Sequence, residues 1–350
     1  MNPFKNMKHV PRHDELIEKA FRKASKIGYD PHVRNKVMME KLLELQKIST
    51  VSNVVRDNIK EIIRSVPNLD EIPEFYRKLV EVSVPLKEVK RALATLNWIS
   101  KKVRELELDY ANRIKGESSI KRMKSLRRAF YGRVSSLVKK RRDAFHTLIQ
   151  LKQLTAEFPS LKNMPTVIVA GYPNVGKSTL LRRITGAQPQ IAEYPFTTKK
   201  LMVGYLNDEL QLVDTPGILD RDPSRMKEIE RKAITAISTL PALLLYIFDV
   251  SETCGYSLEK QFRLLKRLMT LFPNLRIICC LNKMDLHKDE EKLRDLKENL
   301  EKLGLRWVET SGEDERSLEK LVEILRKEMK NRALHCKAGH GHIPVREIKP

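Results

Sequence analysis

The sequence predicts two domains, a basic helical bundle over residues 1–160 and, over residues 161–334, a mostly parallel sheet with one antiparallel edge strand and helices on both faces. A short tail, 335–350, follows. Three observations carry this expectation. Ahead of Pro165, apolar residues recur at steps of three and four. Beyond it the rhythm becomes strand, loop, helix, as in a sheet covered on both faces. Between the two, residues 157–165 hold two prolines and no helical period, which marks a boundary. A length of 350 residues with 41% hydrophobic residues is ample for two ordinary cores.

The elements of the bundle come first. Segments of roughly 14–27, 33–65 and 73–82 read as helices. From Leu86, a stripe through Val89, Leu93, Leu96, Ile99, Val103, Leu106, Tyr110 and Ile114 predicts a helix of about eight turns, with Pro85 suited to its first turn and Gly116 to its end. A second stripe, through Ile120, Met123, Leu126, Phe130, Val134, Leu137, Phe145, Leu148 and Leu151, predicts another long helix. The short loop between them implies antiparallel packing.

Charge is distributed unevenly. Of the 67 Lys and Arg, 36 lie in residues 1–165, against 19 of the 45 Asp and Glu, so +17 of the +22 precedes the boundary. A field of that size attracts nucleic acid or an acidic membrane surface and is silent about fold. Residues 121–142 hold ten cations (Lys121, Arg122, Lys124, Arg127, Arg128, Arg133, Lys139, Lys140, Arg141 and Arg142) and no acid. Like charges at i and i+4 repel, so an external anion is expected to offset them, a merely solvated basic helix being the alternative. Phosphates do this through counterion release, and an A-form RNA backbone is read mostly by such contacts. No apolar run reaches the roughly 18 residues of a membrane span, and the first ten residues carry no signal-peptide core. The four cysteines show no disulfide or structural-metal spacing. A cytoplasmic protein without stable membrane insertion is expected. His335, Cys336, His340 and His342 complete no usual metal set, and the tail is expected to be mobile.

In the second domain the apolar run TVIVA (166–170) leads into GYPNVGKST, which is Gly171, Tyr172, Pro173, Asn174, Val175, Gly176, Lys177, Ser178 and Thr179. This is G-x-x-x-x-G-K-S between a buried strand and a helix start, the setting its mechanism needs. The glycines let successive amides point at phosphate oxygens, and the helix N-terminus adds positive charge. Lys177 is expected to reach the β- and γ-phosphates, and Ser178 to offer its hydroxyl to Mg²⁺.

Residues 200–206 and 209–213 flank Asn207-Asp208 as a hairpin, which supplies the antiparallel edge strand. Asp214-Thr215-Pro216-Gly217 follows; Asp214 suits Mg²⁺ through water, and Gly217 lets its amide approach a γ-phosphate. Later strands are expected at 243–250, 276–281 and 305–309, with helices at 289–303 and 317–333. Asn282-Lys283-Met284-Asp285 ends the second of these strands. The Asp285 carboxylate can accept from the ring N–H and amino group of guanine, a donor pair adenine lacks. Thr310-Ser311-Gly312 ends the third and would present amides to the guanine carbonyl oxygen. Four such strings in order predict a Ras-like P-loop GTPase domain binding GTP and GDP.

Together with Tyr194-Pro-Phe-Thr-Thr198, these motifs resemble the Obg and Nog branch of the translation-factor-related GTPases. The stretch DVSETCGYSLEKQ (249–261) and the basic helical domain ahead of the GTPase domain resemble the Nog subgroup, so the likeness covers almost the whole chain. It implies that Thr198, or alternatively Thr197, closes on Mg²⁺ and the γ-phosphate, which with Lys177 and Gly217 makes the catalytic set. It implies a compact, archaeal-like form, because the segment after Leu334 is short beside the eukaryotic members. Ile218 stands where Ras-like enzymes carry the water-orienting glutamine, so intrinsic hydrolysis should be slow. Asn174 occupies the position of a K⁺ ligand in cation-activated relatives, and a turn-forming role is the alternative. Two functions follow as expectations: a GTP-driven assembly factor whose bundle grips rRNA of the large ribosomal subunit or its precursor, or a GTPase switching a protein partner with the bundle as a docking or membrane-surface module. The activator is not indicated.

Overall fold

The computed structural model describes residues 2–338 except 163, 187–189, 194–199, 208, 216–218, 220–226, 229, 231–233, 235, 241 and 312. The chain divides into two compact units, Asn2–Glu157 and Phe158 onward.

The first unit holds α1 (His13–Ser25), α2 (Lys36–Ser65), α3 (Glu74–Glu81), α4 (Leu86–Lys115), α5 (Ile120–Lys139) and α6 (Arg142–Ala156). Asn35 caps α2, its side chain accepting from the Met38 amide at 3.0 Å. Pro85 stands at the start of α4, and Arg113 and Lys115 lie in its last turn, where cations favour the macrodipole. The α4 stripe is the buried one: Val89, Leu96, Ile99, Val103, Tyr110 and Ile114 all face inward. Its neighbour α2 runs antiparallel. Lys41 near the start of α2 donates to the Lys115 carbonyl at 2.7 Å, and Lys90 near the start of α4 meets Asp70 beyond the end of α2 at 2.6 Å. Tyr110 and Phe130 (5.8 Å between ring centroids) and Trp98 under Arg141 set α4 antiparallel to the chain that follows it. Phe75, Phe130 and Phe145 are fully buried, each contributing roughly 1.5–3 kcal/mol.

Three features depart from the expected bundle. Glu107, not only apolar side chains, is buried on α4, where it accepts from Ser52 Oγ at 2.6 Å and from Arg104 at 2.8 Å. The second long helix is two helices, broken at Lys140 and Arg141, with Arg141 at φ −116°, ψ 23°. Residues 139–143 offer no apolar side chain to hold a continuous helix to the core, and four consecutive cations repel one another. Restarting at Arg142 places Asp143 in the first turn of α6, where the macrodipole favours an acid.

The third correction concerns the cations of residues 121–142, not all of which need an external anion. Lys124 meets Glu40 at 3.1 Å, and Arg127 pairs with Glu44; both carboxylates come from α2 and are buried. Burial pushes the Glu40 carboxyl up, but hydrogen bonds from Lys124 and Tyr29 outweigh that and hold it below its ordinary range.

The second unit is a seven-stranded sheet in the order β2-β3-β4-β1-β5-β6-β7. Its strands are β1 (Thr166–Ala170), β2 (Gln190–Glu193), β3 (Lys200–Leu206), β4 (Leu210–Asp214), β5 (Ala242–Asp249), β6 (Arg276–Asn282) and β7 (Arg306–Glu309), with helices α7 (Lys177–Thr185), α8 (Leu258–Leu271), α9 (Glu290–Lys302) and α10 (Glu315–Ala338). Among the described strands β3 alone runs against the rest, antiparallel to β2 on one side and to β4 on the other. The short β2, QIAE, is an addition the sequence did not suggest, and it extends that edge by one strand. Central strands β1 and β5 are buried along their whole length, which is why TVIVA and ALLLYIFD read as unbroken apolar runs rather than alternating ones. The pairing puts Asp214, Asp249 and Asn282 at one end: Val169 is level with Asp214, and Asp249 with Asn282.

The last helix continues past the expected Ala333 to Ala338, so its span includes His335 and Cys336. His340 and His342 lie outside the described residues. Among the described residues no His, Cys, Asp and Glu cluster could hold a metal, and no helix is long and apolar enough to cross a membrane. Cys279 and Cys280 are buried in β6; burial pushes the Cys280 thiol up to about 12, which keeps it protonated.

Candidate nucleotide-binding site

Loops at the carboxyl ends of β1, β4, β6 and β7 converge. After Ala170 the chain turns through Gly171 (φ +144°), Asn174 (φ +63°) and Gly176 (φ +102°). A side chain at Gly171 would put its Cβ 2.6 Å from the Ile247 carbonyl of β5, and one at Gly176 would come within 2.4 Å of Asn282 Nδ2. Both glycines are therefore required by close approach as well as by φ. The left-handed backbone at Asn174 by itself accounts for an asparagine there. Tyr172, Pro173 and Val175 complete the loop, and the Val175 side chain is buried in the core.

The helix α7 starts on this loop with glycine at its N-cap and no acid in its own first turn, so no residue of the helix itself offsets the positive end of its dipole. Lys177, its first residue, is buried and curls back so that Nζ donates to the carbonyls of Gly171 (2.8 Å) and Tyr172 (2.7 Å). Ser178 Oγ donates to Asp214 Oδ2 at 3.0 Å, and Asp214 is fully buried at the end of β4. Thr215 is buried beside it and donates to the Val169 carbonyl at 3.2 Å. The Ser178 and Asp214 pair is a set of hard oxygen donors, the kind Mg²⁺ prefers. Thr179 lies in the first turn of α7. Pro216, Gly217, Ile218, Thr197, Thr198 and Gly312 lie outside the described residues.

The loops ending β6 and β7 are joined to the phosphate loop through Asn282. Its Nδ2 donates to the Val175 carbonyl at 2.9 Å, and its Oδ1 accepts from Thr310 Oγ1 at 3.1 Å. Asp285 is exposed, and its Oδ1 accepts from Ser311 Oγ at 2.6 Å. Lys283 has a left-handed backbone (φ +63°), and its ammonium reaches the Asn174 carbonyl at 2.9 Å. A glycine loop for an anion, an oxygen pair for a hard cation and an exposed carboxylate for an N–H pair thus share one end of the sheet.

Sequence reasoning missed the residues that brace this end. Asp249, the last residue of β5, is fully buried and accepts from Lys283 Nζ at 2.7 Å and from the Cys254 amide at 2.8 Å. Burial raises its pKa, but hydrogen bonds from Lys283, Ser251 and Cys254 and the charge of Lys283 prevail, so the carboxyl lies below its ordinary value. Gln261, also fully buried, bonds both the amide (2.8 Å) and the carbonyl (3.0 Å) of Asp249. Tyr256 stacks on Tyr172 at 4.0 Å. An available signal was an acid closing a wholly apolar strand, since a buried carboxylate demands a partner.

In the helical unit, Lys121, Arg122, Arg128, Arg133, Lys139, Lys140, Arg141 and Arg142 are exposed, whereas Lys124 and Arg127 are half-buried against α2. Arg141 lies 5.2 Å over the ring of Trp98.

Comparison with known proteins assigns the lineage. A family model described as the NOG1 N-terminal helical domain matches residues 4–167, and one described as nucleolar GTP-binding protein 1 (NOG1) matches residues 228–285. The chain is 39% identical over 295 residues to an uncharacterized protein of Methanocaldococcus jannaschii, covering 84% of this chain and 83% of that one. It is 34% identical over 279 residues to nucleolar GTP-binding protein 1 of Kluyveromyces lactis and 33% identical over 323 residues to that of Caenorhabditis elegans, covering 77% and 89% of this chain. It spans 43% and 47% of the length of those two relatives. With both family models on one chain and a relative matched over most of both lengths beside them, the chain belongs to the NOG1 family of GTP-binding proteins.

Proposed function

We propose that the chain binds GTP and GDP with Mg²⁺ at the sheet end described above, hydrolyses GTP slowly, and acts in assembly of the large ribosomal subunit through rRNA contacts of its helical unit. The observation that carries the nucleotide reading is Asn282, whose one side chain ties the phosphate loop to the NKMD and TSG segments. Phosphates on the loop and a base at Asp285 would then be held by elements already fixed to each other. In this reading Lys177 turns from the Gly171 and Tyr172 carbonyls toward the β- and γ-phosphates, and Asp285 accepts from the guanine N–H pair. Ser178, and Asp214 through water, would hold the metal, which when bound would supply positive charge to the phosphate oxygens. Thr198 and the Gly217 amide complete the γ-phosphate side, and Ile218 leaves the attacking water without a glutamine, which makes turnover slow. K⁺ at Asn174 would add charge near the same oxygens. Faster hydrolysis in K⁺ than in Na⁺ supports that part, and equal rates remove it.

The ribosomal reading rests on the concentration of exposed cations on α5 and at the α5–α6 corner, and on the name carried by the relatives. The nucleotide reading is tested by Asp285→Asn. The variant should lose GTP affinity and gain affinity for xanthosine triphosphate by at least about tenfold each, since one charge-assisted hydrogen bond is worth about 1.5–3 kcal/mol. A competition assay in which GTP preference is unchanged contradicts the assignment of Asp285 to the base.

A further inference from the structure

Three residues with positive φ within six positions, two of them glycines with many backbone states open to them, give the phosphate loop a path that its surroundings must hold. Asn282 holds it at Val175. Two more contacts depend on the stretch between β5 and α8: one is made by Lys283, which Asp249 holds, and the other by Tyr256. The Lys283 ammonium sits among three oxygens, of Asn174 (2.9 Å), Asp249 (2.7 Å) and Thr253 (2.9 Å). It is aimed at the loop by Asp249, its only carboxylate partner among the described residues. Asp249 is itself fixed by Ser251 through both the amide and the hydroxyl, by Thr253 Oγ1 and by the Cys254 amide. The second contact is the Tyr256 ring on Tyr172, with 21° between the planes. Both contacts return to one side chain, because Gln261 binds the Asp249 backbone and also donates to the Tyr256 carbonyl at 2.9 Å. Ser257 caps α8, and Glu252 accepts from the Leu258 amide at 2.7 Å, so the stretch is tied to a helix rather than left as a loop.

We propose that residues 249–261 form a second hold on the phosphate loop, independent of nucleotide, in which Asp249 and Tyr256 are positioning residues that set how fast guanine nucleotide leaves. The proposal rests on the guanine-nucleotide reading of the site. A loop held in its bound shape before the ligand arrives loses less freedom on binding, and loosening it shows mainly in the dissociation rate. Asp249→Asn removes the charge that aims Lys283 while keeping the shape, and Tyr256→Ala removes the stack.

The test is release of fluorescently labelled GDP from the full chain into excess unlabelled GDP. Asp249→Asn should speed release about tenfold, equivalent to about 1.4 kcal/mol. Tyr256→Ala should speed it roughly three- to tenfold, in line with the weight of an aromatic pair. Tyr256→Phe keeps the ring and should restore the wild-type rate. Preference for GDP over xanthosine diphosphate should stay unchanged throughout, since Asp285 is untouched; a merely unfolded site would lose both properties together. If Asp249→Asn fails to fold, the Tyr256 pair still decides, because Tyr256 is only half-buried. Folded Asp249→Asn or Tyr256→Ala releasing GDP at the wild-type rate, or Phe behaving like Ala, overturns the proposal alone. A wild-type chain that binds no guanine nucleotide overturns the reading of the site beneath it.

Discussion

Gly176 shows how much one residue carries. Its φ of +102° disfavours any side chain, and a Cβ would stand 2.4 Å from Asn282 Nδ2. Gly176→Ala should therefore displace the side chain that joins three loops. The backbone strain alone costs about 1–3 kcal/mol, and guanine-nucleotide affinity by isothermal titration should fall by at least about tenfold. Unchanged affinity would mean that Asn282 is not needed where it sits. Asp249 fixes the pH range over which the brace persists. Its carboxyl is held below its ordinary value in the folded chain, so its contribution is complete above the unfolded value of about 3.9 and is lost only as pH falls through the lower folded value. GDP release should thus be flat with respect to this group between about pH 5 and 8. At this scale the sequence revealed residue types but not their partners. Gly171, Lys177, Ser178 and Asp285 sit in short strings whose spacing carries meaning. Lys283 meets Asp249 across 34 positions and Arg127 meets Glu44 across 83, and no local pattern encodes such pairs.

Among elements, α4 could be read from its apolar spacing because a 30-residue helix packed on one side needs an uninterrupted stripe. The break between α5 and α6 could not, because the apolar residues on either side of it keep helical spacing while the chain between them turns. β2 escaped for another reason: four residues at a sheet edge bury too little to impose a pattern. Pairing of α5 with α2 has an energetic consequence. Glu44 is almost wholly buried, with its side chain 1% exposed, and Arg127 neutralises it. Arg127→Gln should leave that carboxylate uncompensated and lower the stability of the helical unit by about 3–5 kcal/mol. Arg128→Gln, exposed on the same helix, should stay within about 0.5 kcal/mol. Urea denaturation compares them directly, and equal midpoints would show that the Arg127 pair contributes nothing.

The whole molecule joins a unit rich in exposed cations to one whose loops converge at one end of a sheet. The charge imbalance was legible because net charge needs no fold to be counted. Which cations stand without a partner from α2 was not, and the structure ties Lys124 and Arg127 to the buried carboxylates of Glu40 and Glu44. A test of rRNA binding must spare those two, since replacing them would damage folding. The direct measurement is binding of the full chain to large ribosomal subunits by cosedimentation across a salt series, wild type against a variant with Arg128, Lys139, Lys140 and Arg142 changed to Gln. All four are exposed. Every cation–phosphate pair that the substitutions abolish should flatten the slope of log affinity against log salt by about 0.7–0.9. The variant should bind particles more weakly with a shallower slope, while its GTP affinity and its melting curve match wild type. A folded variant with the wild-type affinity and slope would contradict rRNA binding by this face and favour a protein partner for the helical unit.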